Sequence, residues 1–166
     1  GCILSVTLFS VKINSIVKAI NPGVECSLYV DDFVICFRSR NMDIIERQLQ
    51  QCLNKLQTWS DENGFKFSKT KTKCMHFCNK RGFHPDPDLH MNKCRIEVVP
   101  EFKFLGVIFD QKLSFLPHIK ALKKKCQKAL NLLKVVAHSD WGADRKVLLR
   151  LYRSLIRSKL DYGSIV

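Results

Sequence analysis

Two adjacent aspartates, Asp31 and Asp32, stand at the centre of "CSLYVDDFVICF", Cys26 to Phe37, where nearly every other residue is apolar or β-favouring. Two unit negative charges about 4 Å apart repel by roughly 4 kcal/mol at an effective dielectric near 20. In an apolar surround such a pair takes up a proton or finds cations, and a divalent ion offsets the repulsion directly. Mg²⁺ prefers carboxylate oxygens, keeps several waters, and is usually held by one or two carboxylates together with substrate phosphates. Two such ions about 3.5–4 Å apart activate an attacking oxygen and stabilise a leaving one in phosphoryl transfer. A bare Asp-Asp pair is also ordinary turn chemistry. The specific feature is its setting, Tyr29-Val30-Asp31-Asp32 between two β-runs.

The runs, about Glu25–Val30 and Phe33–Phe37, predict a hairpin with Asp31-Asp32 at its tip. Before it, Leu4, Leu8, Phe9, Val11, Ile13 and Ile16 line an apolar face of a helix from about Ser5 to Ala19, closed by a turn at Asn21–Gly23. After it, Asn41 or Asp43 caps a helix whose apolar residues Ile44 to Trp59 recur at three and four, ending at Gly64. "FKF" (Phe65–Phe67) and "KCMHF" (Lys73–Phe77) read as short strands. "CRIEVV" and "FKFLGVIFD" flank Pro100-Glu101 as a second hairpin. From about Pro117 the pattern is helical, broken near "HSDWG", His138–Gly142. Strands and helices mix without regular βαβ units, so the expected class is α+β.

The 166 residues suit one domain or a piece of a larger protein, and 46% hydrophobic residues are enough for a real core. A net charge of +13 points to a polyanionic partner, nucleic acid more readily than a membrane, and no stretch is long enough to span a bilayer. Eight cysteines, several within apolar runs and with no secretory signal before them, fit a reduced intracellular compartment; nucleus and cytoplasmic ribonucleoprotein both remain open as the expected location. The chain starts at Gly1 inside an apolar pattern and stops at "SIV" after an amphipathic helix, as expected of a piece of a longer polypeptide. Near its end, Lys146, Arg150, Arg153 and Arg157 recur at four, three and four, on one face of a helix. Val147, Leu148, Leu151 and Leu155 line another. Such a stripe suits a nucleic-acid backbone, or is a solvated face.

"YVDD" in this setting resembles the catalytic box of reverse transcriptases. The order of the segments around it resembles the polymerases of non-long-terminal-repeat retrotransposons of the jockey-like kind. "GCILSVTLFSVKIN" resembles the family segment before that box, which begins Pro-Gln-Gly; the family usually has proline at Val6, tyrosine at Lys12 and aspartate at Ser15. "NGFKFSKTKTKCMHF" resembles the following Lys-Thr box, with the family lysine at Lys71 or, in a rival register, Lys69. "FKFLGVIFD" resembles the primer-gripping hairpin, with Leu105-Gly106 at its turn. The resemblance implies a partial palm over residues 1–110 and a helical, truncated thumb over 111–166.

It further implies Asp31 as principal metal ligand with Asp32 assisting, and Mg²⁺, or Mn²⁺, as the metal. Lys71 becomes a general acid for the leaving pyrophosphate. Gly1, Tyr29, Val30, Leu105 and Gly106 lie at the nucleotide or primer, although Val30 also suits plain strand core and Gly106 a bulge. The partners implied are an RNA template with a DNA primer, dNTPs, and an upstream fingers and palm portion of the same polypeptide. The family places another metal-binding aspartate upstream of Gly1, so the chain alone is expected to be inactive. A rival from another class uses Cys74, Cys78, His84, His90 and Cys94 to hold a structural zinc in a nucleic-acid-binding module. Their spacings C-x3-C, H-x5-H and H-x3-C match no common finger closely.

Overall fold

The computed structural model describes residues 3–79, 85–138 and 140–164. It is a mixture of helices and small two-stranded sheets, an α+β arrangement. The chain forms two compact units, residues 1–76 with 82–99, and residues 77–81 with 100–166.

The first unit is built on helix α2, Met42–Asn63. The Asn41 side chain accepts the Asp43 N–H at 2.9 Å, so Asn41 is the cap. Gly64, at φ 72, ends the helix in the left-handed conformation that a residue without Cβ adopts at little steric cost. Leu53 of α2 packs with Leu89, Met91 and Ile96, and Leu56 and Trp59 pack with Ile16. The helix thus joins both clusters of the unit.

Helix α1, Ile3–Asn14, continues as a 3₁₀ turn, Ser15–Ala19. The single apolar face expected here is two faces. Phe9, Ile13 and Ile16, spaced four and three, turn inward: Ile16 is 1% exposed, Ile13 joins the Ile16–Trp59 cluster, and the Phe9 ring meets Phe65 edge-on at 6.0 Å. Leu4, Leu8 and Val11, with the same spacing from a different start, remain about two-thirds exposed. The two sets lie well apart around a helix of 3.6 residues per turn, and a list of apolar residues merges them.

Strands β1, Glu25–Tyr29, and β2, Asp32–Cys36, form the first hairpin. Leu28, Phe33 and Ile35 rest on the α2 side, in contact with the Leu56–Trp59 cluster. "FKF" is not a strand, although Phe65 and Phe67 do pack into the core. Of "KCMHF", only Lys73–Cys74 (β3) is strand, and "CRIEVV" divides between two partners. Cys94–Arg95 (β5) turns back on His90–Met91 (β4), and Glu97–Val98 (β6) runs parallel to β3. The division follows from the turn at Asn92 and Lys93, both at positive φ. It closes a tight local hairpin and leaves Ile96 to enter the core.

In the second unit the hairpin is Glu101 together with "FKFLGVIFD", without "CRIEVV": β7, Glu101–Phe104, pairs with β8, Val107–Asp110, around Leu105-Gly106. Helix α3, Leu116–Val136, follows, then α4, Arg145–Tyr152, a π-helical turn Arg153–Arg157 and a last turn α5, Ser158–Asp161. Ala129, Leu133 and Ile156 are the core, flanked by Cys126, Leu148, Leu151 and Leu155. Val147, expected on the packed face, is 41% exposed. Among the described residues no helix is long and apolar enough to cross a membrane.

Candidate active site and nucleic-acid surface

The β1–β2 pairing sets the geometry of the first candidate site. Tyr29 pairs with Asp32, so the two-residue loop is Val30-Asp31 and not Asp31-Asp32. A slip of two residues in pairing leaves every side chain on its original face, so apolar alternation alone does not separate the two registers. The outcome places a β-branched residue, Val30, at φ 56. That region is costly for any side chain and a genuine outlier for a β-branched one. Positive φ at the first loop position alone is the sign pattern of a type II′ turn.

Asp31 therefore sits on the loop, and Asp32 opens β2 on the face opposite Phe33. Both are exposed, as are Tyr29 at 60% and Val30 at 61%. The apolar surround expected for the carboxylates is replaced by solvent, because the apolar residues of the hairpin turn to α2 and the tip projects beyond them. Among the described residues neither carboxylate enters an ion pair, unlike Asp86, Asp88 and Asp161.

Lys71 lies on an exposed turn of the same unit. Ser68 organises that turn: its carbonyl accepts the Thr72 N–H at 2.9 Å and the Thr72 hydroxyl at 2.8 Å, and its Oγ accepts the Lys71 N–H at 3.4 Å. The neighbouring ammonium groups are occupied. Lys69 donates to Cys94 Sγ at 3.3 Å, and Lys73 is paired with Glu97. Among the described residues no partner is recorded for the Lys71 ammonium. The structure brings Tyr29, Val30, Asp31 and Asp32 together on one tip and records no contact between them and Lys71.

Gly1 and His84 lie outside the described residues. Of the zinc candidates, His90 and Cys94 pair with Arg95 and Met91 inside their own hairpin. Among the described residues no three His, Cys, Asp or Glu side chains gather closely enough to hold a metal. The seven described cysteines are free thiols.

In the second unit, Leu105-Gly106 form the β7–β8 turn with φ 44 and 85. The space beside Gly106 is taken from within the chain: a Cβ built there would lie 2.9 Å from Cε1 of Tyr162. Lys146, Arg150, Arg153 and Arg157 are all exposed. The one-face reading holds for Lys146 and Arg150 on α4. From Arg153 the backbone is π-helical, with i→i+5 bonds and more residues per turn, so α-helical spacing no longer fixes the face. Arg157 also meets Asp161 at 3.4 Å.

Residues 1–109 match the family model for reverse transcriptase (RNA-dependent DNA polymerase). The chain belongs to the reverse transcriptase family. It is 24% identical over 98% of its length to a retrovirus-related Pol polyprotein from type-1 retrotransposable element R1 2 of Nasonia vitripennis, covering 41% of that protein. It is 22% identical over its whole length to a putative 115 kDa protein in type-1 retrotransposable element R1DM of Drosophila melanogaster, covering 16% of it. To the RNA-directed DNA polymerase from mobile element jockey of Drosophila melanogaster it is 25% identical over 98% of its length, covering 18%. The chain thus spans less than half the length of these relatives. The jockey-like resemblance read from "YVDD" and "FLGVIFD" stands. No solved structure matches the chain.

The match ends one residue short of Asp110, and two further features of the chain beyond it, at Asp110 and on α3, are seen only in the structure. Asp110 is 9% exposed and accepts the Ser114 N–H and hydroxyl at 3.1 and 2.9 Å and the Phe115 N–H at 2.7 Å. It fixes the loop that leads into α3. Burial pushes its pKa up, but these hydrogen bonds to the charged form outweigh burial and leave it lowered. On α3, which carries no acid, Lys120, Lys124 and Lys128 recur every four residues and are exposed. Residues at i, i+4 and i+8 share one helix face.

Proposed function

We propose that the chain supplies the "YVDD" hairpin of a polymerase palm, residues 1–110, and part of the following thumb, residues 111–166, to an RNA-directed DNA polymerase of a retrotransposon. The substrates are dNTPs and a DNA primer on an RNA template. One observation carries this reading. In a reverse transcriptase relative, two exposed, unpaired carboxylates stand on a hairpin tip whose strained turn the local sequence would not choose for stability alone.

Asp31 and Asp32 fit a hard divalent cation, Mg²⁺ or Mn²⁺. They are adjacent oxygen donors, open to water and to phosphate, in the number such ions commonly take from protein. When bound, the metal makes the primer 3′-hydroxyl a better nucleophile and neutralises charge on the reacting phosphate. Asp31, on the loop, is the principal ligand and Asp32 assists from the strand. Tyr29 and Val30 give the tip an apolar surface on which a sugar or terminal base pair rests. Lys71, whose ammonium is uncommitted, holds the proton for the departing pyrophosphate. Arg150 and Lys146, with Arg153, Arg157 and the α3 lysines, contact phosphates of the template–primer duplex. Two carboxylates on one hairpin are an incomplete two-metal set, so the isolated chain performs no templated synthesis.

In the full-length polymerase, Asp31→Ala should reduce primer extension to background while leaving template–primer binding largely intact. Near-normal extension would remove Asp31 from the active site. Changing Arg150, Arg153 and Arg157 to glutamine should weaken duplex binding about equally for unrelated sequences. It should also flatten the plot of log affinity against log salt by up to about 0.9 per lost phosphate contact in the B-DNA limit. An unchanged slope would make the stripe a solvated face. Glutamine preserves helix propensity.

A further inference from the structure

The turn Leu105-Gly106 is held by a residue 57 positions away in sequence. Tyr162 Oη donates to the Leu105 carbonyl at 2.6 Å. Its ring lies against Gly106 so closely that a Cβ there would be 2.9 Å from Cε1 and 3.3 Å from Oη. The next residue, Gly163 at φ 73, lies against Val107: a Cβ at Gly163 would be 3.3 Å from Val107 Cγ2. Tyr162 is itself set by its N–H to the Ser158 carbonyl at 3.3 Å, at the end of α5. Both loop residues have positive φ, the pattern of a type I′ turn, and leucine is a poor choice for its first position.

The ring remains 60% exposed. Tyr162 is thus no core residue, and burial of its ring is a minor reason for its place. What it supplies is a directed hydrogen bond to the outward carbonyl of the turn and a cover over the only side of Gly106 that could accept a side chain. Two contacts of different kinds converge on the same two residues, and both would be lost if the turn adopted another conformation.

We propose that Tyr162 is a positioning residue: it fixes the β7–β8 turn in one conformation and so sets where that turn meets the primer strand. This rests on the reading of β7–β8 as a primer-facing hairpin. Tyr162→Phe keeps the ring on Gly106 and removes only the hydroxyl bond; Tyr162→Ala removes both.

Amide hydrogen exchange on the chain itself isolates the local part. Exchange at Val107, which pairs with Phe104 across the loop, should accelerate roughly 3- to 10-fold in Tyr162→Phe, the effect of one ordinary hydrogen bond, and further in Tyr162→Ala. The Phe102 and Phe109 amides, farther down the hairpin, should not change. In the full-length polymerase, single-turnover extension of a synthetic RNA template with a DNA primer should slow by a similar factor in Tyr162→Phe. The burst amplitude and duplex affinity should stay constant, whereas a merely structural role would lower the amplitude. Unchanged exchange in both variants overturns the proposal, because Tyr162 then does not hold the turn. Faster exchange with an unchanged extension rate also overturns it, because the position of the turn then does not matter to the primer. Failure of the polymerase reading itself would appear elsewhere, as extension by Asp31→Ala.

Discussion

The hairpins β1–β2 and β7–β8 are the same object in outline: two short antiparallel strands, a two-residue loop, positive φ at the loop and an aspartate in a strand beside it. They differ in what surrounds those parts. The first loop has Val30 in the strained position, itself 61% exposed, and an exposed Asp32. The second has Gly106 where the turn wants it, Tyr162 over the glycine, and a buried Asp110 that accepts three hydrogen bonds. The second hairpin is closed by its own chain. The first is left open, and strain and exposed charge kept at an accessible tip support the ligand-binding role proposed for it.

Exchanging carboxylate for amide at the two aspartates should give the sharpest contrast. In the full-length polymerase, Asp32→Asn should lower primer extension by orders of magnitude and leave the thermal melting of this chain nearly unchanged. Asp110→Asn should do the reverse, lowering the melting temperature while sparing the chemistry of whatever fraction stays folded. The amide can accept one of the N–H groups but presents donors to the others. Loss of extension accompanied by equal unfolding in Asp32→Asn would end the distinction between the two hairpins.

The pH dependence of stability sharpens the same comparison. Asp110 has a lowered pKa in the folded state, so its contribution is present above the unfolded carboxyl value and is lost as pH falls through the folded one. The chain should therefore lose stability on acidification below about pH 4, near the ordinary aspartate value. Asp110→Asn should remove part of that slope. An identical acid limb in the variant, followed by circular dichroism, would show that Asp110 does not couple folding to protons.

What was legible in the sequence divides along physical lines. Helix α2 was readable because its cap at Asn41, its stop at Gly64 and its apolar period are all local. The existence of the first hairpin was readable, and its loop was not, since the two candidate registers differ by an even number of residues. The β3–β6 pair joins two-residue segments 24 positions apart in parallel, too short for any pattern to announce. Ile156 is buried because the π turn brings it inward next to Leu155, which a constant helical step does not anticipate. For the candidate site, Asp31 and Asp32 stood out by residue type, because their charge conflicts with the strand around them, and the structure leaves both exposed on the hairpin tip. Asp110 and Tyr162 conflict with nothing locally. Their roles depend on partners that only the fold supplies: the Ser114–Phe115 loop for one, a turn 57 residues away for the other.

The smallest effect expected is a pair of opposite signs at the two loops. Val30→Gly relieves a left-handed conformation that costs a side chain about 1–2 kcal/mol. It loses about 0.5–1 kcal/mol of backbone entropy relative to a residue with a side chain. The net should be a stabilisation of zero to about 1.5 kcal/mol, small because the two effects oppose each other. Gly106→Ala introduces the same left-handed penalty at φ 85, and its Cβ meets the Tyr162 ring at 2.9 Å, inside any real Cβ contact. The exposed tyrosine ring can move aside, so the left-handed penalty sets the effect, a destabilisation of about 1–2 kcal/mol. Urea denaturation of the chain reads both as shifts of the midpoint at constant slope. Equal and destabilising shifts would mean that Val30 is held by contacts as specific as those at Gly106, and the first tip would then be closed after all. Opposite shifts, with Val30→Gly slower in primer extension despite its added stability, would separate the tip's role in binding from any role in folding.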